Sequence, residues 1–135
     1  MIYGIGVDIL RLHRIERILT SRTAVNFMNK VLSKDEHVLF SELTLDRERA
    51  IFVGCRWSVK ECLVKAFDQK KLIFDDVSLL PKQSHNNFFE FETQFGERNK
   101  DMLNDKIELI TMDIIANSTW DDDLLISNVF VQIKG

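Results

Sequence analysis

The chain has 135 residues with a formal net charge of −3, of which 45% are hydrophobic and 29% charged, and it contains a single proline. This length and composition predict one globular domain spanning residues 1–135 and exclude a disordered or fibrous chain. The acidic balance excludes the basic surface of most nucleic-acid-binding proteins, and no apolar run approaches the roughly 20 residues of a membrane helix. We therefore expect neither nucleic acid nor membrane as a partner.

A buried strand is predicted at the start of the chain. Residues 2–8 are apolar, and Gly4 and Gly6 are placed where a neighbouring backbone can approach closely. The segment lacks the charged leader of a secretory signal, so we expect an intracellular protein. Asp8 ends the segment and has two interpretations, a carboxylate at the exit of the strand or the N-cap of the next helix.

That helix is predicted from Ile9 to about Thr20 and has a basic border. Its apolar residues recur at helical spacing, namely Leu12, Ile15, Ile18 and Leu19. The arginines that flank this stripe are Arg11, Arg14, Arg17 and Arg22. Further on, Ser33 followed three residues later by Glu36 predicts a capping box that opens a short helix through His37 to Leu43.

The longest helical pattern runs from about Arg47 to Asp68. Its core face comprises Val59, Cys62, Leu63 and Ala66. Cys55 and Cys62 lie about 10 Å apart along such a helix, which exceeds disulfide reach, so both are interpreted as small buried residues. The ridge opposite the core face comprises Trp57, Glu61 and Lys65, and Arg56 and Lys60 form a neighbouring ridge.

The second half of the chain predicts strands. The segments rich in β-branched and aromatic residues are 74–80, 88–93, 106–115 and 124–133, with a short helix over 96–105. Helices followed by strands indicate an α+β fold in which a mostly antiparallel sheet packs against the long central helix.

The charged ridges of the long helix have two interpretations. Glu61 and Lys65 make an ordinary helix-surface ion pair, beside which Arg56 and Lys60 are solvated charges. Alternatively, a carboxylate, an ammonium and a guanidinium gathered on one helix are the groups that a metal-assisted phosphate-transfer site requires, because Mg²⁺ prefers carboxylate and phosphate oxygens while Lys and Arg neutralise phosphate charge. Asp8 would supply a second carboxylate.

Two segments carry a family resemblance. Tyr3-Gly4-Ile5-Gly6-Val7-Asp8-Ile9, with Arg14-Ile15 shortly after, and Gly54-Cys55-Arg56-Trp57-Ser58-Val59-Lys60-Glu61-Cys62-Leu63-Val64-Lys65-Ala66 resemble the two signature motifs of the holo-acyl-carrier-protein synthases. The segment from Phe27 to Glu36 is similar to the Phe-x-x-x-x-Leu-Thr-x-x-Glu element of that family. The resemblance covers residues 1–67 and is only generic beyond them.

The resemblance implies a 4'-phosphopantetheinyl transferase fold and an activity. The enzyme would move the 4'-phosphopantetheine arm of coenzyme A to a serine of an apo-acyl carrier protein, releasing adenosine 3',5'-bisphosphate. Asp8 and Glu61 would hold Mg²⁺, Lys65 would contact phosphate, and Glu61 is a candidate base for the serine proton. Arg56 and Lys60 are candidate ligands of coenzyme A phosphates.

The resemblance also implies partners. Acyl carrier proteins are acidic, so Arg11, Arg14, Arg17 and Arg22 would form a docking surface, unless they are an ordinary solvated helix face. Family members of this size commonly form trimers, and they work in the bacterial cytoplasm or the mitochondrial matrix. The alternatives are a non-catalytic module that binds a carrier protein or coenzyme A, and an unrelated Mg²⁺-dependent phosphate-handling enzyme.

Two departures from the family pattern stand out. Members often carry a Ser-x-Ser-His element before the last strand, whereas the stretch Asn117-Ser118-Thr119-Trp120 has no histidine. The nucleotide contact of that histidine must be absent here or supplied by another residue. Members also tend to have a glycine after Lys-Ala-Leu, where this chain has Phe67-Asp68, so we expect a loop of different shape there.

Overall fold

The computed structural model describes residues 1–68, 71–104 and 112–134. The elements in chain order are β1 (Ile2–Arg11), α1 (Leu12–Leu19), α2 (Ala24–Val31), α3 (Lys34–Ser41), α4 (Asp46–Ala66), β2 (Val77–His85), β3 (Phe88–Phe95), α5 (Glu97–Asn104), β4 (Met112–Trp120) and β5 (Leu124–Ile133), with a 3₁₀ turn at Phe74–Asp76. The predicted α+β class is confirmed.

The strands form one antiparallel sheet in the order β1-β5-β4-β3-β2. Side chains on one face, such as Leu125, Val129 and Val131 of β5, are buried in the core beneath α4, as the alternation of a half-buried sheet requires. On the other face Ile5, Ile9 and other apolar residues are exposed. The long helix therefore covers only one side of the sheet.

Two glycines of β1 allow α4 to lie directly on the strand. A Cβ added to Gly4 would stand 1.9 Å from the carbonyl oxygen of Ala66, and one added to Gly6 would stand 2.0 Å from that of Cys62. Because those oxygens belong to helix backbone, no side chain at either position could be accommodated by a rotamer change. The close approach predicted for these glycines is confirmed, and it brings the C-terminal half of α4 against the middle of β1.

The helix predicted from Ile9 begins three residues later, at Leu12. Ile9 and Leu10 instead continue β1 and pair with Ile126 and Leu125 of β5, because β-branched and aliphatic residues gain more from this pairing than from a first helical turn. The N-cap of α1 is therefore Arg11, and the interpretation of Asp8 as a helix cap is wrong.

The other elements follow the sequence pattern with shifted ends. The capping box is confirmed, since the Ser33 backbone N–H donates to Glu36 Oε1 (2.9 Å) and the Glu36 N–H donates to Ser33 Oγ (3.3 Å). Helix α2 was not predicted. Most of the predicted strand 106–115 lies outside the described residues, and β4 continues to Trp120.

Within the described ranges, no helix is long and apolar enough to cross a membrane. Both cysteines are free and buried in α4, as predicted.

Candidate active site

Asp8 lies on the inner face of β1, opposite Ser127 of β5, with its side chain directed toward α4. Ser58 of α4 donates its hydroxyl to Asp8 Oδ2 at 3.0 Å, and Lys65 Nζ lies 3.5 Å from Oδ1. The Asp8 side chain retains 25% of its exposure. A partly exposed carboxylate is thus held between a hydroxyl and an ammonium.

Lys65 joins the same two elements. Its ammonium donates to the carbonyl oxygen of Val7 at 2.8 Å, while 43% of its side chain remains exposed. An ammonium has three donors, so this arrangement fixes the position of the charge beside Asp8 and still leaves donor capacity toward solvent. A phosphate oxygen is the kind of acceptor that such a group binds.

Glu61 is one helical turn before Lys65 and is half-buried. The indole Nε1–H of Trp57 donates to Glu61 Oε1 at 3.2 Å, and no described residue donates a hydrogen bond to Oε2. Burial raises the pKa of the Cys62 thiol to about 12, and the negative charges of Asp8 and Glu61 act in the same direction. Both carboxylates therefore lie within electrostatic range of the Cys62 thiol.

The donor set fits Mg²⁺. This ion takes one or two protein carboxylates and completes its six-coordinate shell with phosphate oxygens and water. Asp8 and Glu61 supply two carboxylates at the partly exposed junction of β1 and α4, beside the Lys65 ammonium. Among the described residues no group of three or more His, Cys, Asp and Glu side chains is arranged to hold a metal. Two protein carboxylates would leave room in such a shell for phosphate oxygens and water.

Arg56 and Lys60 do not reach this site. They are 2% and 0% exposed, so the interpretation as solvated charges is wrong. Both face Glu36, which is itself fully buried: Lys60 Nζ contacts Glu36 Oε1, and Arg56 Nε lies 3.8 Å from Oε2. Lys60 also donates to the carbonyl oxygens of Val31 (2.6 Å) and Phe74 (2.9 Å). The structure thus directs both cations into the interior, between α3, α4 and β2, and not toward the Asp8 carboxylate.

The predicted basic surface is present. The arginines Arg11, Arg14, Arg17 and Arg22 are all exposed, while Leu12 and Ile15 on the other side of α1 are fully buried. Arg11 pairs with Asp123, in the turn between β4 and β5, at 2.9 Å. Asp123 also anchors the start of α1, because the backbone N–H of His13 donates to Asp123 Oδ1 and the His13 ring contacts the same oxygen. Arg14 differs from the rest in lying over the Trp57 indole.

Sequence analysis missed Ser58 and the role of Trp57. Ser58, Cys62 and Lys65 are spaced four and three residues apart, so they share the face of α4 that meets β1. A serine on the face that meets β1, one turn before the buried Cys62, was the signal for the contact with Asp8. The Trp57–Glu61 contact follows from their spacing of one turn, which the ridge already showed.

The two departures from the family pattern have different structural outcomes. Asp68 has φ 61°, the left-handed conformation that glycine favours at a helix C-terminus, so the chain turns there as a glycine would allow. Trp120 ends β4 half-exposed and contacts Phe89 with ring centroids 4.6 Å apart.

Comparisons with known proteins agree with this architecture. The family model of the 4'-phosphopantetheinyl transferase superfamily matches residues 4–109. The holo-[acyl-carrier-protein] synthase of Vesicomyosocius okutanii is 35% identical over 97 residues, which cover 70% of this chain and 73% of that protein.

Two solved structures share the fold. The holo-[acyl-carrier-protein] synthase of Neisseria meningitidis superposes with a TM-score of 0.79 at 20% identity, covering 98% of this chain and 99% of that one. The enzyme of Bacillus anthracis, solved in complex with CoA (3',5'-ADP), gives a TM-score of 0.73 at 20% identity, covering 100% and 99%. With the family match over most of its length, this chain belongs to the 4'-phosphopantetheinyl transferase superfamily, in the group of the holo-[acyl-carrier-protein] synthases.

Proposed function

We propose that this chain transfers the 4'-phosphopantetheine group of coenzyme A to a serine hydroxyl of an apo-acyl carrier protein, in a Mg²⁺-dependent reaction that releases adenosine 3',5'-bisphosphate. The observation that carries the proposal is the contact between the two signature segments. Asp8 of the first meets Ser58 and Lys65 of the second at a partly exposed junction. The names of the relative from V. okutanii and of the B. anthracis complex supply the substrates.

In this proposal Asp8 and Glu61 hold the ion and Lys65 contacts the phosphate. When bound, Mg²⁺ stabilises the charge that develops on the pyrophosphate as the bond to the leaving nucleotide breaks. Lys65 is anchored by the Val7 carbonyl, so its remaining donors can meet a phosphate oxygen without a costly reordering of the side chain. Glu61, with Oε2 free of described protein donors, is the candidate acceptor of the serine proton.

Coenzyme A contacts through Arg56 and Lys60 are not part of this proposal. Lys60 has its three donors directed at Glu36, Val31 and Phe74, and rotating it outward would leave the buried Glu36 carboxylate with the more distant Arg56 as its only cationic neighbour among the described residues. We assign both cations to holding α4 in place.

The exposed arginines of α1 are proposed as the docking surface for the acidic carrier protein. Arg14, Arg17 and Arg22 are exposed along and just beyond α1. Attraction between opposite charges accelerates encounter and orients the partner, and it weakens with salt. Replacing Arg17 with Gln should therefore lower the rate at limiting carrier concentration more at low salt than at high salt.

A homotrimer is proposed because the outer face of the sheet is apolar and uncovered in one chain. Ile5, Val7 and Ile9 of β1 are 50%, 50% and 64% exposed, and Ile126 and Ile115 of the neighbouring strands are 42% and 40% exposed. A contiguous apolar patch of this kind is typical of an interface. Light scattering tests this: a fully active monomer would contradict it, and Ile9→Lys should shift the protein toward monomer.

Mass spectrometry of the carrier protein tests the reaction. After incubation with coenzyme A, Mg²⁺ and an apo-carrier protein, we expect the carrier to gain the mass of one phosphopantetheine. Asp8→Asn and Glu61→Gln should lower the rate by a factor on the order of 100 or more. Glu48→Gln is the matched control, an exposed carboxylate in the first turn of the same helix, and should retain the rate. A carrier that binds but gains no mass would instead identify a non-catalytic module.

The proposed location is the cytoplasm, since the relative from V. okutanii is bacterial. The mitochondrial alternative gains no support from it.

A further inference from the structure

Trp57 is the described residue that connects Glu61 to the basic surface of α1. Its indole Nε1–H donates to Glu61 Oε1 at 3.2 Å. The guanidinium carbon of Arg14 lies 5.1 Å from the centroid of the indole ring. Phe27 of α2 packs edge-on against the same ring, with centroids 5.2 Å apart and an interplanar angle of 88°. One aromatic side chain thus contacts a candidate metal ligand, a candidate partner contact and the core.

The hydrogen bond matters because a glutamate side chain is flexible. Glu61 is half-buried at the surface of α4 and would otherwise sample several rotamers, whose loss on metal binding would reduce affinity. The indole has only a donor to offer, so it stabilises the ionised carboxylate, and it is itself held by Phe27 and Arg14. Because the bond engages Oε1 alone, Oε2 remains available to a cation.

The contact with Arg14 gives the same ring a second role. A cation over the face of an indole is attracted to it, so Arg14 favours the ring position from which Nε1–H reaches Glu61. A carboxylate of an acidic partner would compete for that guanidinium. If binding of the partner moves the ring and so changes the affinity for the metal, binding of the metal must change the affinity for the partner by the same factor, because coupling between two binding sites is reciprocal.

We propose that Trp57 is a positioning residue that orients Glu61 toward Mg²⁺ and couples the metal ligand to Arg14, so that carrier docking and metal binding influence each other. This rests on the proposed function for the identity of metal and partner. Residues that orient a metal ligand typically change metal affinity by 10- to 100-fold when they are replaced.

The central test removes only the indole N–H. Trp57→Phe retains an aromatic ring between Phe27 and Arg14. With coenzyme A at saturation, we expect the Mg²⁺ concentration that gives the half-maximal transfer rate, the Mg²⁺ midpoint, to rise about tenfold. Trp120→Phe is the matched control, the same replacement at the other tryptophan, and its Mg²⁺ midpoint should equal that of the wild type. An unchanged midpoint in Trp57→Phe would overturn the proposal.

A direct readout is independent of transfer. In the Trp120→Phe background Trp57 is the single tryptophan, and its emission should change on addition of Mg²⁺ and coenzyme A and fail to change when Glu61→Gln is added. A metal-dependent emission change without phosphopantetheine transfer would refute the proposed function and leave Trp57 as the positioning residue. Transfer with no emission change would support the proposed function and refute the positioning role of Trp57.

The coupling is tested without altering the ring. Arg14→Gln removes the cation over Trp57, whereas Arg17→Gln removes another exposed charge of the same helix that has no described contact with Trp57. Both should weaken carrier binding, but only Arg14→Gln should shift the Mg²⁺ midpoint and the Trp57 emission. Equal Mg²⁺ midpoints in the two variants would exclude coupling through Trp57, and this comparison stands even if Trp57→Phe does not fold.

Discussion

The buried carboxylate of Glu36 makes an asymmetric prediction about stability. Glu36 and Lys60 are fully buried and Arg56 is 2% exposed, so one negative charge faces two positive charges away from water. Backbone N–H groups of Ser33 and Leu79 also donate to the carboxylate, at 2.9 and 2.8 Å. Replacing the anion therefore differs in consequence from replacing either cation. We compare Glu36→Gln with Lys60→Met.

The magnitudes follow from what each variant leaves unpaired. Glu36→Gln leaves two buried cations without an anion, and removing one partner of a buried ion pair costs about 3–5 kcal/mol. Lys60→Met leaves Glu36 with Arg56 and two backbone donors. It removes the 2.6 Å donor of the Val31 carbonyl, a loss of about 1–3 kcal/mol, while the partly buried Phe74 carbonyl can exchange its lost donor for water. For a domain of this size about 1 kcal/mol corresponds to roughly 4 °C in Tm, so the variants should melt roughly 12–20 and 4–12 °C lower.

Urea denaturation followed by circular dichroism measures both free energies of unfolding at pH 7. The reasoning is refuted if Lys60→Met is as destabilising as Glu36→Gln or more so, because the net charge of the cluster would then not decide the outcome. Titration adds a check. Burial lowers the pKa of Lys60 from 10.5 to about 8, so between these values this side chain binds more protons in the unfolded chain, and its contribution to the stability should rise with pH. Lys60→Met should lack that increment.

Three further predictions concern α4 and its ends. Gly6→Ala would place a Cβ 2.0 Å from the Cys62 carbonyl oxygen and should lower the free energy of unfolding in urea by about 1–3 kcal/mol or more. At Gly54 an added Cβ would meet only side chains, at 3.4–3.5 Å, so Gly54→Ala should be neutral or stabilise the helix by up to about 1 kcal/mol. Burial raises the pKa of the Cys55 and Cys62 thiols from 9.0 to about 12, so iodoacetamide at pH 9 should label the unfolded chain far faster than the native one; equal labelling rates would contradict their burial. The contribution of the two thiols to stability should fall as the pH rises from about 9 toward 12. Asp68→Gly should raise the free energy of unfolding in urea by less than about 1 kcal/mol, because φ at this position is 61°. A lowered free energy of unfolding would argue against that conformation.

The parts of the fold that sequence analysis predicted well are those in which one local pattern has one structural solution. Gly4 and Gly6 in an apolar strand leave room for a close neighbour, and the neighbour is α4. The Ser33–Glu36 spacing satisfies its own backbone groups whatever surrounds it. Helical geometry alone sets the ridge of Trp57, Glu61 and Lys65. In the structure this ridge lies on the more accessible side of the C-terminal half of α4.

Errors arose where a distant segment changes the environment of a residue. Arg56 and Lys60 have the charge of solvated residues, and Glu36, 20 and 24 positions earlier in the chain, makes their burial tolerable. Asp8 has the sequence context of a helix cap, but pairing with β5 continues the strand past it. The local residue spacing does not indicate that β5 pairs with β1 or that Glu36 faces Arg56 and Lys60, so periodicity alone could not identify these contacts.

The relation between Asp8 and Glu61, the two proposed metal ligands, depends on residues that are not themselves proposed as ligands. Gly6 sets how close α4 lies to β1, the Glu36 cluster fixes α4 against α3 and β2, and Trp57 sets the direction of the Glu61 side chain. These three constraints act on the separation of the elements, on the stability of the helix and on one rotamer. Variants at the three positions should therefore fail differently: Gly6→Ala in folding and transfer together, Glu36→Gln in stability before activity, and Trp57→Phe in Mg²⁺ affinity with the fold intact. The proposed two-carboxylate site lies on separate elements and requires all three, because neither carboxylate belongs to a group of three or more potential metal ligands in the described parts of the chain.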